Sequence, residues 1–288
     1  MKGKIVLITG ANRGIGKETT RALAKKGATI IMACRHLEKA EPVCAMIQTE
    51  SKNPNIKVMK LDLASLKSVR NFTQEFSARY QKLNVLINNA GIFCMKREET
   101  EEGFEKTMGV NHLGHFLLTY ELLPILEKTP EARIINVSSD AHFSGDLDLD
   151  DLHFKRRKYS GIKAYASSRL ATVFFTQELA ERLKEKDITV NSLHPGHVDT
   201  NMWDLWGAQR RWYHSLLSSL MKLFLISAEE GAQTSIYLAS SSEVKGITGK
   251  YFARKRIKAV SKKCSDIKLQ KELWQLSKRL TGENSYNY

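Results

Sequence analysis

"VLITGANRGIGKE" occupies residues 6–18. An apolar, β-rich run stops at Thr9, and Gly10, Gly14 and Gly16 follow in the spacing G-x-x-x-G-x-G ahead of a helix-forming stretch. Glycine permits a tight turn and lets backbone approach a ligand closely. The helix behind it offers unpaired N–H groups and its positive end to a phosphate. Such a pattern alone is weak, and a plain strand-to-helix turn would account for it. Its place between a first strand and a first helix, at the head of a βαβ unit, predicts a dinucleotide pyrophosphate cradle at Gly10, Gly14 and Gly16, with Asn12, Arg13 and Ile15 between them as further cofactor-binding candidates.

The same alternation runs outward along the chain. Apolar runs at 4–9, 28–34, 56–62, 83–88, 132–138 and 188–193 read as strands covered on both faces, because their apolar residues are continuous rather than alternating. Helical stretches at 14–26, 37–52, 66–81, 102–127 and 161–186 separate them. Strand–helix alternation predicts a doubly wound parallel sheet, and 288 residues with 42% hydrophobic side chains suffice for one large α/β domain spanning 1–288. There is no repeat or Pro-rich linker. The rhythm breaks at 197–228, where Met202, Trp203, Trp206 and Trp212 crowd a segment that reads as a lid or a packed helix pair. From 260 to 288 the chain reads as a helical tail, an amphipathic helix ended by Gly282.

Lys plus Arg (45) exceeds Asp plus Glu (31), for a formal net charge of +14. A solvated surface explains the excess; attraction to a polyanionic cofactor or to an anionic membrane would also use it. The densest basic clusters, at 153–158 and 253–258, are short, and no motif interleaves them with aromatics, so nucleic-acid binding is not expected. Cys34, Cys44, Cys94 and Cys264 show no metal-ligand spacing, which fits a reducing compartment. The first strand begins a few residues from Met1, leaving no room for a signal peptide, and no apolar run reaches transmembrane length. A cytoplasmic protein is expected, with peripheral membrane contact through Arg210, Arg211 and Lys222 beside the tryptophans.

Cofactor choice is read at the end of the second strand. An acidic residue there would favour NAD by binding the ribose hydroxyls. The chain has Arg35 instead, and Arg13 can reach the same region. Two guanidiniums suit a 2′-phosphate, so NADP(H) is expected. Asp62 and Leu63 are placed to border the adenine, although a solvated loop aspartate reads the same. "NNAG" (88–91) closes the fourth strand and offers Asn89, Ala90 and Gly91 to the cofactor; a plain Asn/Gly turn is the alternative.

"YASSR" (165–169) sets a tyrosine and a cation four residues apart, on one helix face. A tyrosine near its ordinary pKa of about 10 is a poor base near neutrality. A cation about 5 Å away, at an effective dielectric near 20, is worth roughly 3 kcal/mol, a little over two pKa units. A serine hydroxyl beside the pair can polarise a carbonyl.

"TGANRGIG", "NNAG", "VNHLGHF", "NVSS", Tyr165 on its helix and "HPGHVDT" occur in the order of the short-chain dehydrogenase/reductase family, and the whole chain resembles it. "VNHLGHFLLT", "GAQTSIYLASS" and "GKYF" resemble its retinol dehydrogenase-like branch. The resemblance implies a Rossmann sheet of about seven parallel strands and hydride transfer between a nicotinamide cofactor and an alcohol or carbonyl. It implies that Asn111 bends its helix and holds a relay water, that Ser139 rather than Ser138 bonds the substrate oxygen, and that Tyr165 is the acid–base. It also implies that Pro195, Gly196 and Val198 line the nicotinamide and that Thr200 bonds its carboxamide. The family pairs its long helices, here 102–127 and 161–186, so a homodimer is expected. Its pocket segment corresponds to 197–228, whose tryptophans suit a small lipophilic alcohol, aldehyde or ketone.

One position departs. The family has lysine where this chain has Arg169. Arginine keeps the charge and has donors for both nicotinamide ribose hydroxyls, but it is larger, planar and does not release its proton. Two readings follow: an NADP(H) oxidoreductase slowed at this residue, or a nucleotide-binding relative serving as sensor, scaffold or partner subunit.

Overall fold

The computed structural model describes residues 1–196 and 226–283. Eight strands form one sheet in the order β3-β2-β1-β4-β5-β6-β7-β8. They are β1 (Ile5–Thr9), β2 (Thr29–Cys34), β3 (Ile56–Lys60), β4 (Val85–Asn88), β5 (Ala132–Val137), β6 (Ile188–His194), β7 (Tyr251–Ala253) and β8 (Arg256–Lys258). The first seven are parallel, and β8 adds antiparallel to β7. The chain leaves β1 toward β2 and β3, then returns to place β4 on the other side of β1. The order therefore reverses between β1 and β4, and the crevice at their carboxyl ends is where such sheets bind ligands.

Alternate strand residues divide the core. Leu7, Ile31, Leu86, Ile134 and Val190 face the layer formed by α3 (Leu66–Arg79), α5 (His115–Glu127) and α6 (Gly161–Arg182). Val6, Ile8, Ile30, Met32, Val85 and Ile87 face α1 (Gly14–Lys25), α2 (Leu37–Ser51) and α7 (Ala228–Ser240). Helices thus cover both faces, which is why the strands lack polar alternation.

One expectation is corrected. The helix expected over 102–127 begins as a short α4 (Lys106–Met108), widens into a π-helical turn over Gly109–Gly114, and only then continues as α5. The expected seven parallel strands are present, and β8 joins them as an antiparallel eighth. The turn residues between β7 and β8, Arg254 and Lys255, both have positive φ.

The expected C-terminal helix is packed on the core: a 3-10 turn over Lys262–Ser265 leads into α8 (Ile267–Thr281), which ends at Gly282. Trp274, 2% exposed, packs edge-on against Phe116 at 5.0 Å between centroids and stacks on Phe175 at 6.0 Å. α8 thus packs against α5 and α6, the helices expected to pair two chains. No helix among the described residues is long and apolar enough to cross a membrane, and all four cysteines are buried and free.

Candidate active site

The loop after β1 and the loop after β4 meet at the sheet's switch point. Gly10 has φ +65, and its Cα faces Ala90; a Cβ on Gly16 would collide with the Gly10 carbonyl and the Asn89 amide. Only glycine fits this approach, and it leaves the amino end of α1 open toward the crevice, which is the cradle a pyrophosphate needs. Asn12 and Ile15 lie half-buried in the same loop. Arg13, in extended conformation before α1, and Arg35, just past β2, are exposed; Arg35 Nε donates to His36 Nε2 at 2.9 Å. Asp62 is spent locally: its Oδ1 accepts from the Ala64 N–H at 2.9 Å, while Leu63 is buried against Gly114.

Thr9, which sequence reasoning did not single out, joins the two loops. Its hydroxyl accepts from the N–H groups of Asn89 and Ala90, both at 2.9 Å, and Asn89 Nδ2 donates to the Thr9 carbonyl at 2.7 Å. Cys34, read from the sequence only as a free thiol without metal-ligand spacing, also lies here. Burial pushes its thiol up to about 11, with the Ala11 and Asn12 N–H groups opposing the shift, so it packs beneath the cradle as an inert apolar group.

The chemistry-bearing residues sit at the ends of β4, β5 and β6 and on the two long helices. Tyr165 is half-buried on α6, with Phe93 edge-on at 5.6 Å; among the described residues its hydroxyl has no hydrogen-bond partner. Arg169 lies one turn on and is 4% exposed. Its guanidinium carbon stands 4.9 Å from the centre of the Tyr165 ring, over the face rather than beside the hydroxyl. Nη1 donates to the Val137 carbonyl at 3.0 Å, Nε has no partner among the described residues, and Nη2 lies against Gly91 so closely that a Cβ there would run into it. The absent side chain at Gly91 makes room for arginine where a lysine would need less.

Ser138 and Ser139 face different tasks. Ser138 is buried, and its hydroxyl donates to the Arg169 carbonyl at 2.9 Å, pinning β5 to α6. Ser139 is half-exposed; its Oγ accepts from the Ala141 N–H at 3.2 Å and donates to Asp140 at 3.1 Å. Bonding a substrate oxygen requires that hydroxyl to leave Asp140. The turn itself is braced: His142 Nδ1 donates to the Ser139 carbonyl at 2.7 Å, and its Nε2 accepts from the Ser261 N–H at 3.2 Å.

Asn111 sits inside the π-helical turn, a distortion that recurs at functional sites. Its Oδ1 accepts from the Ile92 N–H at 2.8 Å, and its Nδ2 donates to the Ile92 carbonyl and to Ser168 Oγ, both at 3.0 Å. Ser168 donates in turn to the Tyr165 carbonyl at 2.7 Å. One amide thus holds the loop after Gly91 against the helix that carries Tyr165 and Arg169. Beside it, buried His112 is held by Ser277 of α8 at 2.8 Å, and desolvation drives its pKa down to about 3. At the end of β6, Pro195 and Gly196 are half-buried, with the Gly196 N–H donating to His194 Nδ1 at 3.2 Å. Val198, Thr200 and most of the 197–228 segment lie outside the described residues.

The chain is similar to known proteins over nearly its whole length. A family model described as short chain dehydrogenase matches residues 4–211. Human retinol dehydrogenase 13 is 44% identical over 281 residues, covering 97% of this chain and 85% of that protein. Human retinol dehydrogenase 12 is 43% identical, covering 98% and 87%. A solved protein of Mycobacterium paratuberculosis superposes with a TM-score of 0.79 at 34% identity, over 98% of this chain and 94% of that one. An Escherichia coli CFT073 structure, described as complexed with NADPH, superposes at 0.68 with 25% identity over 88% and 96%.

Proposed function

The chain belongs to the short-chain dehydrogenase/reductase family, in its retinol dehydrogenase-like branch, and on that premise we propose that this oxidoreductase uses NADP(H) to interconvert a lipophilic alcohol and its carbonyl. The observation that carries the reading is the placement of Arg169: a buried cation over Tyr165, seated on Gly91 and facing the crevice loops.

The residues fit the cofactor. Gly10 and Gly16 let the loops after β1 and β4 close on one another beside the amino end of α1, where a pyrophosphate would be held, and the exposed Arg13 and Arg35 would serve a 2′-phosphate. The Escherichia coli structure with NADPH supports the same choice. The unpartnered Nε of Arg169 is a buried donor that ribose hydroxyls would satisfy. Asn89, Ala90, Gly91, Pro195 and Gly196 would border the nicotinamide half.

When bound, the nicotinamide supplies or accepts the hydride. The protein's part is the proton and the orientation. Tyr165 donates its hydroxyl proton to the carbonyl oxygen in reduction and takes it back in oxidation. Ser139, released from Asp140, donates a hydrogen bond to the same oxygen and holds it at the tyrosine. Arg169 keeps a fixed positive charge at that end without giving up a proton, so the proton returns to Tyr165 from solvent by a path that does not run through this side chain. The apolar, tryptophan-rich composition of 197–228 and the names of the curated relatives support a retinoid or comparable long-chain substrate.

Steady-state oxidation of NADPH and NADH with long-chain aldehydes and short polar carbonyls tests the reading. The expectation is turnover with NADPH and the apolar substrates. If nucleotide binds but neither the natural protein nor Arg169→Lys reduces any carbonyl in the panel, the scaffold reading takes its place.

A further inference from the structure

His115 belongs to neither the cradle nor the serine–tyrosine pair, yet it touches Thr9, which joins the two loops of the site, and the π-helical turn that carries Asn111. It is 4% exposed. Its Nδ1 lies 3.2 Å from the main-chain carbonyl of Asn111, and its Nε2 lies 2.9 Å from the hydroxyl of Thr9, 106 residues away in sequence. In a regular helix the carbonyl of Asn111 would accept from the backbone N–H of His115. Here that N–H, at the end of the π-helical turn, bonds the carbonyl of His112 instead, and the ring of His115 takes its place at Asn111.

The donors can be counted. A carbonyl only accepts, so Nδ1 carries the hydrogen, and in a neutral ring Nε2 is then an acceptor. Thr9 therefore donates its single hydroxyl hydrogen to Nε2. That leaves both hydroxyl lone pairs for the Asn89 and Ala90 N–H groups, which use them at 2.9 Å each. The opposite tautomer, or a charged ring, would aim a third donor at an oxygen with two lone pairs. The hydroxyl's only other recourse is the Ile87 carbonyl at 3.5 Å, too long for a good bond. Burial and the nearby charge of Arg169 act in the same direction, holding the imidazole pKa down to about 4 and the ring neutral.

We infer that His115, as the neutral Nδ1–H tautomer, is a positioning residue with two separable arms. Through Thr9 it sets the Asn89–Ala90 turn that borders the cofactor. Through the Asn111 carbonyl it sets the π-helical turn, whose amide aligns Ile92, Ser168 and, through Ser168, the helix turn carrying Tyr165. The first arm acts on nucleotide binding, the second on the chemical step, and the second rests on the oxidoreductase reading above.

Two substitutions separate the arms by reach. Glutamine at 115 can still accept from Thr9 but cannot serve the nearer Asn111 carbonyl; asparagine at 115 does the reverse. For His115→Gln we expect an NADPH Kd within about twofold of the natural protein and a kcat lower by roughly tenfold. For His115→Asn we expect a Kd raised roughly tenfold with the smaller change in kcat. Nitrogen NMR of the His115 ring should report Nδ1 protonated and Nε2 bare at neutral pH, a readout that needs no turnover. Melting temperatures of both variants verify folding before kinetics are compared. The proposal is overturned if the two variants shift Kd and kcat in the same proportion, if neither shifts them, or if the ring is protonated at Nε2. Should the natural protein reduce no carbonyl, the function reading fails, while the Kd contrast and the tautomer still judge His115.

Discussion

At one end of the proposed cofactor groove Arg13 and Arg35 stand in solvent; at the other Arg169 is 4% exposed and wedged between Gly91, Val137 and the Tyr165 ring. The exposed pair rests on two loops next to β1 and β2 and makes few contacts of its own. The buried cation is over-determined, because β5, the post-β4 loop and the π-helical turn all converge on the helix that carries it. Charges in water are weakened by solvent and salt, whereas a charge taken out of water acts strongly but tolerates little displacement. The exposed end should therefore respond to charge and ionic strength, and the buried end to shape and packing.

The largest expected effect tests the packing that supports the buried end. Trp274→Ala removes a side chain set against Phe116 and Phe175, and should cost about 3–5 kcal/mol of stability in urea unfolding. A loss under about 1 kcal/mol would mean that α8 is not part of the core.

Next comes the seat of the guanidinium. Gly91→Ala puts a methyl where Nη2 lies, and should lower kcat/KM by about 100-fold, close to 2.7 kcal/mol. In the Arg169→Lys background the same change should cost far less, because the ammonium does not occupy that space. Equal losses in the two backgrounds would break the proposed coupling.

Acid sharpens the contrast further. A histidine kept neutral by burial has a folded pKa below its unfolded value near 6.5. The unfolded chain then binds more protons, so the stabilisation is complete above pH 6.5 and is lost as pH falls toward the folded values, about 3 for His112 and about 4 for His115. One such histidine corresponds to about 2 kcal/mol between pH 6.5 and 5. Urea unfolding across that window should show the fall, and His112→Gln should flatten it.

The smallest effect belongs to the exposed end. Arg35→Ala should raise the Kd for NADPH roughly tenfold at low salt, leave NADH unchanged, and lose most of its effect near 0.5 M salt. An equal change for both nucleotides would remove Arg35 from the 2′-phosphate.

Much of this was legible in the chain. The six long apolar runs, the glycine cradle, "NNAG" and the tyrosine–arginine spacing all report on neighbours within a few residues, and local chemistry is what a sequence states directly. The β7 and β8 strands were not legible, since three residues each carry no period and their partners, β6 for one and each other for the rest, are chosen in space. The terminal helix was visible as an amphipathic stretch, but nothing in its own residues said that its apolar stripe would cover α5 and α6. His115 stands four residues from Asn111, a spacing any reader could mark, yet its second partner, Thr9, is brought to it only by the β1–β4 switch.

The sequence by itself determined the parallel sheet, and it is the source of the proposed cradle and proposed reacting side chains, because these are read from periodicity, glycine's missing Cβ and residue chemistry. Tertiary structure alone decided how arginine fits at position 169, which tautomer His115 holds and which helix braces the site. Each of those depends on groups far apart in the chain competing for the same buried space and the same few hydrogen bonds, and burial makes every unmatched donor or misplaced methyl costly.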